Sequence, residues 1–334
     1  MPLSIIIVNY RSAQLILDCL ERVYRDPCAA DFEVIILDNA SGDDSERRIL
    51  SAYPGVRWIQ MNYNAGFARA NNEGIRRSSG EIVLLLNGDT LPEDQAIGKC
   101  YRQLADSEYI AAGVQLLNED RTPQIAGNFF MKGGLNYLLP LPYLGVCVKW
   151  AGSLLHVAKP NVPDAHSLVE VDWINGAFIM VKRTAITKAG MMDEDFFLYA
   201  EEAEWCGRLR KTGKLCIFGS LKVIHLQGAS TNEAFGSSGK GYYNLYDRKG
   251  LQIMLSNFVR IRKQFGVGWF LLQWAFYLLE IPVFFIGMIL SRPFTPAGKG
   301  YSFTQFRQYC KNIGIVTGKS LIIIRNKPYF YKVL

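Results

Sequence analysis

The chain has 334 residues, 49% of them hydrophobic, enough for one large α/β domain with an appendage or for two domains. Its formal charge of +7 is unevenly spread: residues 1–247 hold 24 Lys and Arg against 29 Asp and Glu, while residues 248–334 hold 13 against one acid, Glu280. Seven scattered cysteines without a CxxC pair point to reduced, mostly buried thiols in the cytosol, and an N-terminus that lacks a basic n-region and a cleavage site excludes a signal peptide.

The first strand is LSIIIV, 3–8, whose unbroken apolar run suits a parallel strand buried on both faces; it ends in Asn9-Tyr10. Ser12 stands where it can cap a helix carrying Leu15, Ile16, Cys19, Leu20 and Val23. EVIILDNASGD is the second strand, ending in Asp38 and Asn39; DDSERRIL has a helical pattern and VRWIQ is the third strand. It runs into MNYNAGFARANNEG and a helix through RANNEGIRRSS, closed by Gly80.

IVLLLNGDT follows, five apolar residues that stop on Asn87, Gly88 and Asp89. Asn-Gly is a favoured hairpin turn, but the next residues, TLPEDQAIGKCYRQLA, read as a helix. Thr90 and Glu93 have capping-box spacing, Pro92 fits a first turn, and Ile97, Tyr101 and Leu104 recur at helical intervals. Strand, turn and helix place Asp89 at the carboxyl edge of a parallel strand, where α/β proteins bind ligands. Four such alternations predict an open parallel sheet flanked by helices. The first turn, NYRSAQ, has no glycine, so the G-x-G-x-x-G fingerprint of hydride-transfer enzymes is not met.

Residues 118–170 mix Gly, Pro and aromatics and are too long and apolar for a plain loop; a lid, an acceptor-binding insert and a second membrane contact all suit them. VEVDWINGAFIMVKRTAI, 169–186, predicts a strand leading into a short helix. MDEDFFLYAEEAEWCGRLRKTG predicts a helix ending at Gly213 with Glu201, Glu202 and Glu204 in its first turns. The helix dipole alone favours acids there, but Glu202 shares a stripe with Cys206 and Leu209, while Glu201 lies with Trp205 and Arg208. KLCIFGSLKVIHLQGAST supplies a strand with His225 at its end; His156 and His166 read as ordinary residues.

The basic C-terminal quarter would suit nucleic acid or an anionic leaflet, and GVGWFLLQWAFYLLEIPVFFIGMIL, 266–290, decides against nucleic acid. It is long enough to span a bilayer, yet it carries Gln273, Glu280 and Pro282. An in-plane or re-entrant membrane helix is the first reading, a single span the second and a buried core helix the third. Arg260, Arg262 and Lys263 before it and Arg292 after it would face anionic head groups on the cytoplasmic side.

SIIIVNYRS, LDNASGD, NYNAGFARANNEGIRRSSGEIVLLLNGD, VDWINGAFIMVKR, DEDFFLYAEEAEWCGRLRKTG and VIHLQGAST, in this order, resemble bacterial family 2 glycosyltransferases of the GT-A fold, especially the rhamnosyltransferase-like branch. The resemblance implies a mostly parallel, Rossmann-like sheet flanked by helices. It divides residues 1–247 into a nucleotide-sugar half (1–117), an insert or lid (118–170) and an acceptor half (171–247), with a membrane-associated helical region at 248–334.

It also implies inverting transfer from a nucleoside diphosphate sugar. dTDP-L-rhamnose is the first choice of donor; a UDP-hexose or UDP-N-acetylhexosamine is the alternative. The implied acceptor is a polyprenyl-diphosphate-linked saccharide, the metal is Mg²⁺ or Mn²⁺, and a second copy of the chain is a candidate partner. By the same resemblance Asp38 reads the donor base with Asn39 beside it, Asn9, Tyr10, Asn64, Gly66 and Phe67 line the nucleotide, and Asn87 and Asp89 end the metal motif. His225 helps hold the metal, Asp172, Trp173 and Gly176 lie near sugar and acceptor, and Glu202 is the base, with Glu201 next in line. The family usually reads Asn-Pro-Asp or Asp-x-Asp where this chain reads Asn-Gly-Asp. A sugar nucleotidyltransferase and a non-catalytic membrane homologue are the competing classes.

Overall fold

A computed structural model describes residues 2–226, 235–237, 244–294 and 300–333. In chain order they form β1 (Leu3–Asn9), α1 (Ala13–Tyr24), β2 (Phe32–Asp38), α2 (Ser45–Ala52), β3 (Arg57–Gln60), α3 (Gly66–Arg77), β4 (Ile82–Asn87), β5 (Thr90–Pro92), α4 (Ala96–Ala105), β6 (Ala111–Leu117), β7 (Gly127–Asn128), α5 (Leu144–Leu154), β8 (Asn161–Val162), β9 (Leu168–Val171), β10 (Trp173–Ile174), β11 (Phe178–Lys182), α6 (Arg183–Ala189), α7 (Glu201–Leu209), β12 (Leu215–His225), α8 (Arg248–Phe265), α9 (Val267–Ser291) and α10 (Phe303–Arg325). Two compact units result. One comprises Met1–Phe130, Pro160–Phe197 and Glu201–Thr231; the other comprises Met131–Lys159, Leu198–Ala200 and Asn232–Leu334.

The first unit is built on a sheet of order β3-β2-β1-β4-β11-β6-β12-β5, with β9 paired to β12. The apolar runs that predicted buried strands are its centre: Ile5, Ile6 and Ile7 of β1 and Val83, Leu84 and Leu85 of β4 have no exposed surface. β3, β2, β1 and β4 are parallel, as expected. Beyond β4 the sheet is mixed, because β11 runs antiparallel to both β4 and β6 while β12 is again parallel to β6. A small antiparallel sheet, β10-β7-β8, lies beside it.

Several local expectations change. Thr90 and Glu93 do not form a capping box: Thr90 is in β5, its hydroxyl donating to Asn87 O at 2.7 Å, and α4 starts at Ala96 after Asp94 and Gln95 adopt left-handed φ. Ser12 precedes α1 but makes no side-chain cap; its hydroxyl donates to Asn9 Oδ1 instead. Gly80 lies beyond the end of α3, and a Cβ there would sit 2.6 Å from Ser4 N, so close backbone approach requires the glycine. The strand read over 169–182 is three strands, broken where Asn175 Oδ1 accepts from Ala177 N at 3.0 Å. α7 ends at Leu209, before Gly213. None of the seven cysteines forms a disulfide among the described residues, and four of them are buried. The end of the VIHLQGAST motif, residues 227–231, lies outside the described residues.

In the second unit, α8, α9 and α10 pack on one another, and α8 and α9 also pack on a 3-10 turn, Lys132–Leu138. Asp247 caps α8 by accepting from Gly250 N, and Ser302 with Gln305 forms a capping box on α10. α9 is long and apolar enough to cross a membrane.

Candidate active site

In the parallel half of the sheet the strand order places β2 on one side of β1 and β4 on the other, so the chain reverses direction of travel across the sheet between them. Such a switch point opens a crevice at the carboxyl ends of the strands. The register puts Asn9 opposite Asp38, and Val8 opposite Asn87, at that edge.

Asp38 is buried and fully engaged. Its Oδ1 accepts from Asn9 Nδ2 at 2.7 Å and from the Ser41 hydroxyl; its Oδ2 accepts from Ser41 N at 3.0 Å and Gln60 Nε2 at 2.7 Å. A carboxylate offers about four lone-pair sites, so a ligand N–H reaches this one by displacing a protein donor, most simply the exposed Gln60. Asn39 joins the end of β2 to the loop before α3, donating to Gly66 O at 3.0 Å and accepting from Ala65 N at 2.9 Å, while Asn64 Oδ1 accepts from Gly66 N. Gly66 holds φ +75°, and a Cβ would lie 2.2 Å from Phe197 O, the same carbonyl that accepts from Phe67 N. The Tyr10 ring lies under the Arg11 guanidinium.

Asp89 and His225 come together through β5. Thr90 pairs with His225 in the antiparallel β5–β12 ladder, and Leu226 N donates to Asp89 O at 2.9 Å. His225 Nε2 then lies 3.5 Å from Asp89 Oδ1, both side chains being buried. The other ring nitrogen meets Gln124 Oε1 at 3.0 Å. The Gln124 amide has a defined orientation because its Nε2 donates to His225 O and Asn118 Oδ1, each at 2.7 Å. Oε1 therefore accepts from Nδ1, and Nε2 is the ring nitrogen turned toward a carboxylate oxygen. An imidazole nitrogen and one carboxylate turned toward each other are a donor set suited to a divalent metal that keeps oxygen ligands from a diphosphate and water. Among the described residues no group of three or more His, Cys, Asp or Glu gathers as a metal site.

Gly88, the departure before Asp89, has a packing reason. A Cβ there would be 2.7 Å from Ile16 Cγ1 and 3.6 Å from Ile7 Cγ2, so α1 and β1 fill the space that a larger residue would occupy.

The glutamates reach the same edge from the antiparallel side. Asn87 N donates to Ala177 O at 3.0 Å, and a Cβ on the adjacent Gly176 would be 3.4 Å from Glu202 Cγ. Glu202 is thus set against the turn that follows β10, on which α7 packs. Glu201 is 3% exposed and, among the described residues, its Oε2 has no hydrogen-bond partner. Burial, reinforced by the charge of Glu202, holds the Glu201 carboxyl well above the usual carboxylate range. Trp173 Nε1 and Asn128 Oδ1, on register-paired residues of β10 and β7, are also buried without a partner among the described residues. Buried polar atoms are normally satisfied, so each of these three suits a polar ligand. Tyr199 and Ala200, immediately before Glu201, hold left-handed φ of 71° and 66°, backbone strain of the kind that collects at functional sites.

Asp172 is committed elsewhere: its oxygens accept from Phe130 N at 2.8 Å and pair with Arg210 at 2.8 Å. The residues that brace the segment before α7 were not singled out from sequence. Asn72 exchanges hydrogen bonds with the Met192 backbone, Arg69 donates to Glu194 O and Arg76 pairs with the Glu194 carboxylate.

Residues 4–141 match the model of the family described as "Glycosyl transferase family 2". The chain is 28% identical over 218 residues to the low-salt glycan biosynthesis hexosyltransferase Agl10 of Haloferax volcanii, covering 63% of this chain and 62% of that protein. It is 25% identical over 226 residues to the N-acetylglucosaminyl-diphospho-decaprenol L-rhamnosyltransferase of Mycobacterium tuberculosis, covering 59% and 67% respectively. The chain thus spans less than two thirds of the length of the Haloferax relative. Among solved structures, the mannosyltransferase PcManGT of Pyrobaculum calidifontis, in complex with GDP-Man and Mn²⁺, superposes with a TM-score of 0.51 at 16% identity, over 97% of this chain and 87% of its own. GalNAc-T7 with UDP, GalNAc and Mn²⁺ does so with a TM-score of 0.51 at 14% identity, over 83% and 57%. These likenesses show the fold, a GT-A sheet flanked by helices. The likeness to the family 2 glycosyltransferases resides in residues 4–141, the stretch that carries β1 to β6.

Proposed function

We propose that this glycosyltransferase moves a sugar, with inversion, from a nucleoside diphosphate onto a polyprenyl-diphosphate-linked saccharide at the cytoplasmic face of a membrane. The observation that carries the reading is the convergence at one sheet edge of the Asp89–His225 pair and the Gly176 turn against which Glu202 rests. L-Rhamnose from dTDP-L-rhamnose is the first reading of the donor, supported by the name of the mycobacterial relative, whose printed acceptor is also lipid-linked. A UDP-hexose or UDP-N-acetylhexosamine is the second, supported by the hexosyltransferase name of the Haloferax relative.

Glu202 accepts the acceptor hydroxyl proton while that oxygen bonds the anomeric carbon opposite the departing diphosphate. One C–O bond forms as one breaks, so the configuration inverts. Burial raises the Glu201 carboxyl beside it, which favours Glu202 as the carboxylate of the pair. Asn9, Tyr10, Asp38, Asn64, Gly66 and Phe67 line the nucleotide, with Asp38 exchanging Gln60 for the ring N–H. Asp89 and His225 would hold Mg²⁺ or Mn²⁺, which when bound neutralises charge building on the leaving diphosphate. The apolar α9 and its basic flanks hold the enzyme at the leaflet that carries the acceptor.

The test is Glu202→Gln with donor affinity and turnover measured together. Affinity is expected to stay and turnover to fall by roughly 10²–10⁴-fold. A variant that turns over normally removes Glu202 as base, and the same loss found only in Glu201→Gln transfers the role.

A further inference from the structure

We infer that α5 is a second membrane-embedded element, so that the segment 131–159 and α9 enter one anionic bilayer together. This rests on the membrane reading of α9 given above and extends it to a segment outside the C-terminal region.

α9 is an inside-out helix. Its buried residues are Phe270, Gln273, Tyr277, Glu280 and Phe284, one stripe that contains the polar ones. Each polar side chain of that stripe engages the backbone of 131–159: Gln273 donates to Gly133 O and Gly134 O at 2.6 and 2.7 Å, Tyr277 to Tyr137 O at 2.9 Å, and Glu280 accepts from Tyr143 N and Leu144 N, each at 2.9 Å. Gly133 and Gly134 take left-handed φ to present those carbonyls, and a Cβ on Gly133 would enter the Trp269 ring. The outward residues of α9 include Leu271, Leu272, Leu279, Ile286, Ile289 and Leu290, all exposed. Polar groups turned in and hydrocarbon turned out is the arrangement of a helix solvated by lipid.

The two carboxylate oxygens of Glu280 cap the first turn of α5, fixing that helix to α9. α5 then exposes Val146, Trp150 and Leu154 at successive four-residue intervals, with Leu155 beyond them at 77% exposure, and Gly145 is its one buried residue. Water would disfavour such a helix, whereas the interface of a bilayer favours it, with Trp150 suited to the head-group level. Charge selects the lipid: this unit holds seventeen Lys and Arg against three Asp and Glu, and the segment 131–159 has no acid. An anionic leaflet complements that surface.

Cys147 is the exposed cysteine of α5 and accepts a fluorophore in the full chain, after Cys28→Ser and Cys310→Ser. With vesicles of phosphatidylethanolamine and phosphatidylglycerol, the label is expected to lose access to aqueous iodide and to be quenched by lipid-borne nitroxide. A label at Gly42→Cys, an exposed loop of the first unit, is expected to stay accessible. In the unlabelled chain, Val146→Ser with Trp150→Ser and Leu154→Ser is expected to weaken vesicle partition roughly tenfold or more, with donor affinity unchanged. If the chain floats with vesicles while Cys147 stays open to iodide, α5 lies outside the bilayer and the proposal falls, the reading of α9 surviving. If the chain does not float, both fall. Protection of Cys147 without vesicles reveals a protein partner instead and also overturns the proposal.

Discussion

Replacing Gln124 by methionine removes one acceptor and one amide at nearly constant volume, and it tests whether His225 is held in a metal-binding tautomer. In the wild type, Gln124 Oε1 accepts from His225 Nδ1 at 3.0 Å, leaving Nε2 to face Asp89 Oδ1 at 3.5 Å. Without that acceptor the ring is free to carry its proton on Nε2, where it would donate to Asp89 and withdraw both ligands from a cation. Loss of such an outer partner typically costs about 10–100-fold in metal affinity, or about 1.4–2.7 kcal/mol. The carbonyl of His225 and Oδ1 of Asn118 also lose a donor, which should lower stability by about 1–3 kcal/mol. Titration of Mn²⁺ by electron paramagnetic resonance, with nucleoside diphosphate present, reads the affinity; urea unfolding reads the stability. A folded Gln124→Met chain that binds Mn²⁺ as tightly as wild type refutes the tautomer argument. Equal binding by His225→Ala refutes the pair as the metal site.

Two further outcomes are expected. The folded chain holds the Glu201 proton more tightly than the unfolded chain does, so stability should decline as pH rises above the ordinary carboxyl value of 4.5 toward the raised folded value; Glu201→Gln should remove that slope from urea midpoints measured across the range, and an unaltered slope would place the proton elsewhere. Gly88→Pro installs the residue more usual in the family against Ile16, and should destabilise by about 1–3 kcal/mol; Ile16→Ala in the same chain should recover part of the loss, and strict additivity in the double-mutant cycle would deny that the two positions touch.

Legibility followed range along the chain. The apolar runs of β1, β2 and β4 and the polar residues ending them are local patterns, and each strand carries its own face and its own edge. That was sufficient to place Asn9, Asp38 and Asp89 on one side of the sheet. Gln124 gives no such signal. It stands in the irregular stretch after β6, and its meaning comes from His225, a hundred residues on and joined to it by tertiary pairing. Gln60 is equally silent, an exposed edge residue whose amide matters because β3 lies beside β2. The break at Asn175 was hidden because a side-chain turn can interrupt a run whose flanking residues all favour strand. Asp172 shows the converse: a motif residue whose carboxylate is occupied by Arg210 and Phe130 N, a use that spacing does not distinguish from ligand binding.

The change from parallel to antiparallel pairing at β4 is what brings the two halves of the candidate site together. Parallel strands gather their carboxyl ends at one edge, which accounts for Asn9, Asp38 and Asn87. An antiparallel neighbour presents its amino end there, and β11 begins at Phe178 opposite Leu86. The turn before it therefore carries Gly176 to the edge, and Glu202 with it. β12 restores the parallel direction beside β6, so its carboxyl end returns His225 to the same place, where β5 fixes it next to Asp89. An all-parallel sheet would have needed another crossover to deliver the glutamate-bearing side. The reversal does it in one turn, and Gly176, which presents no side chain to Glu202, lets that turn approach the Glu202 side chain closely.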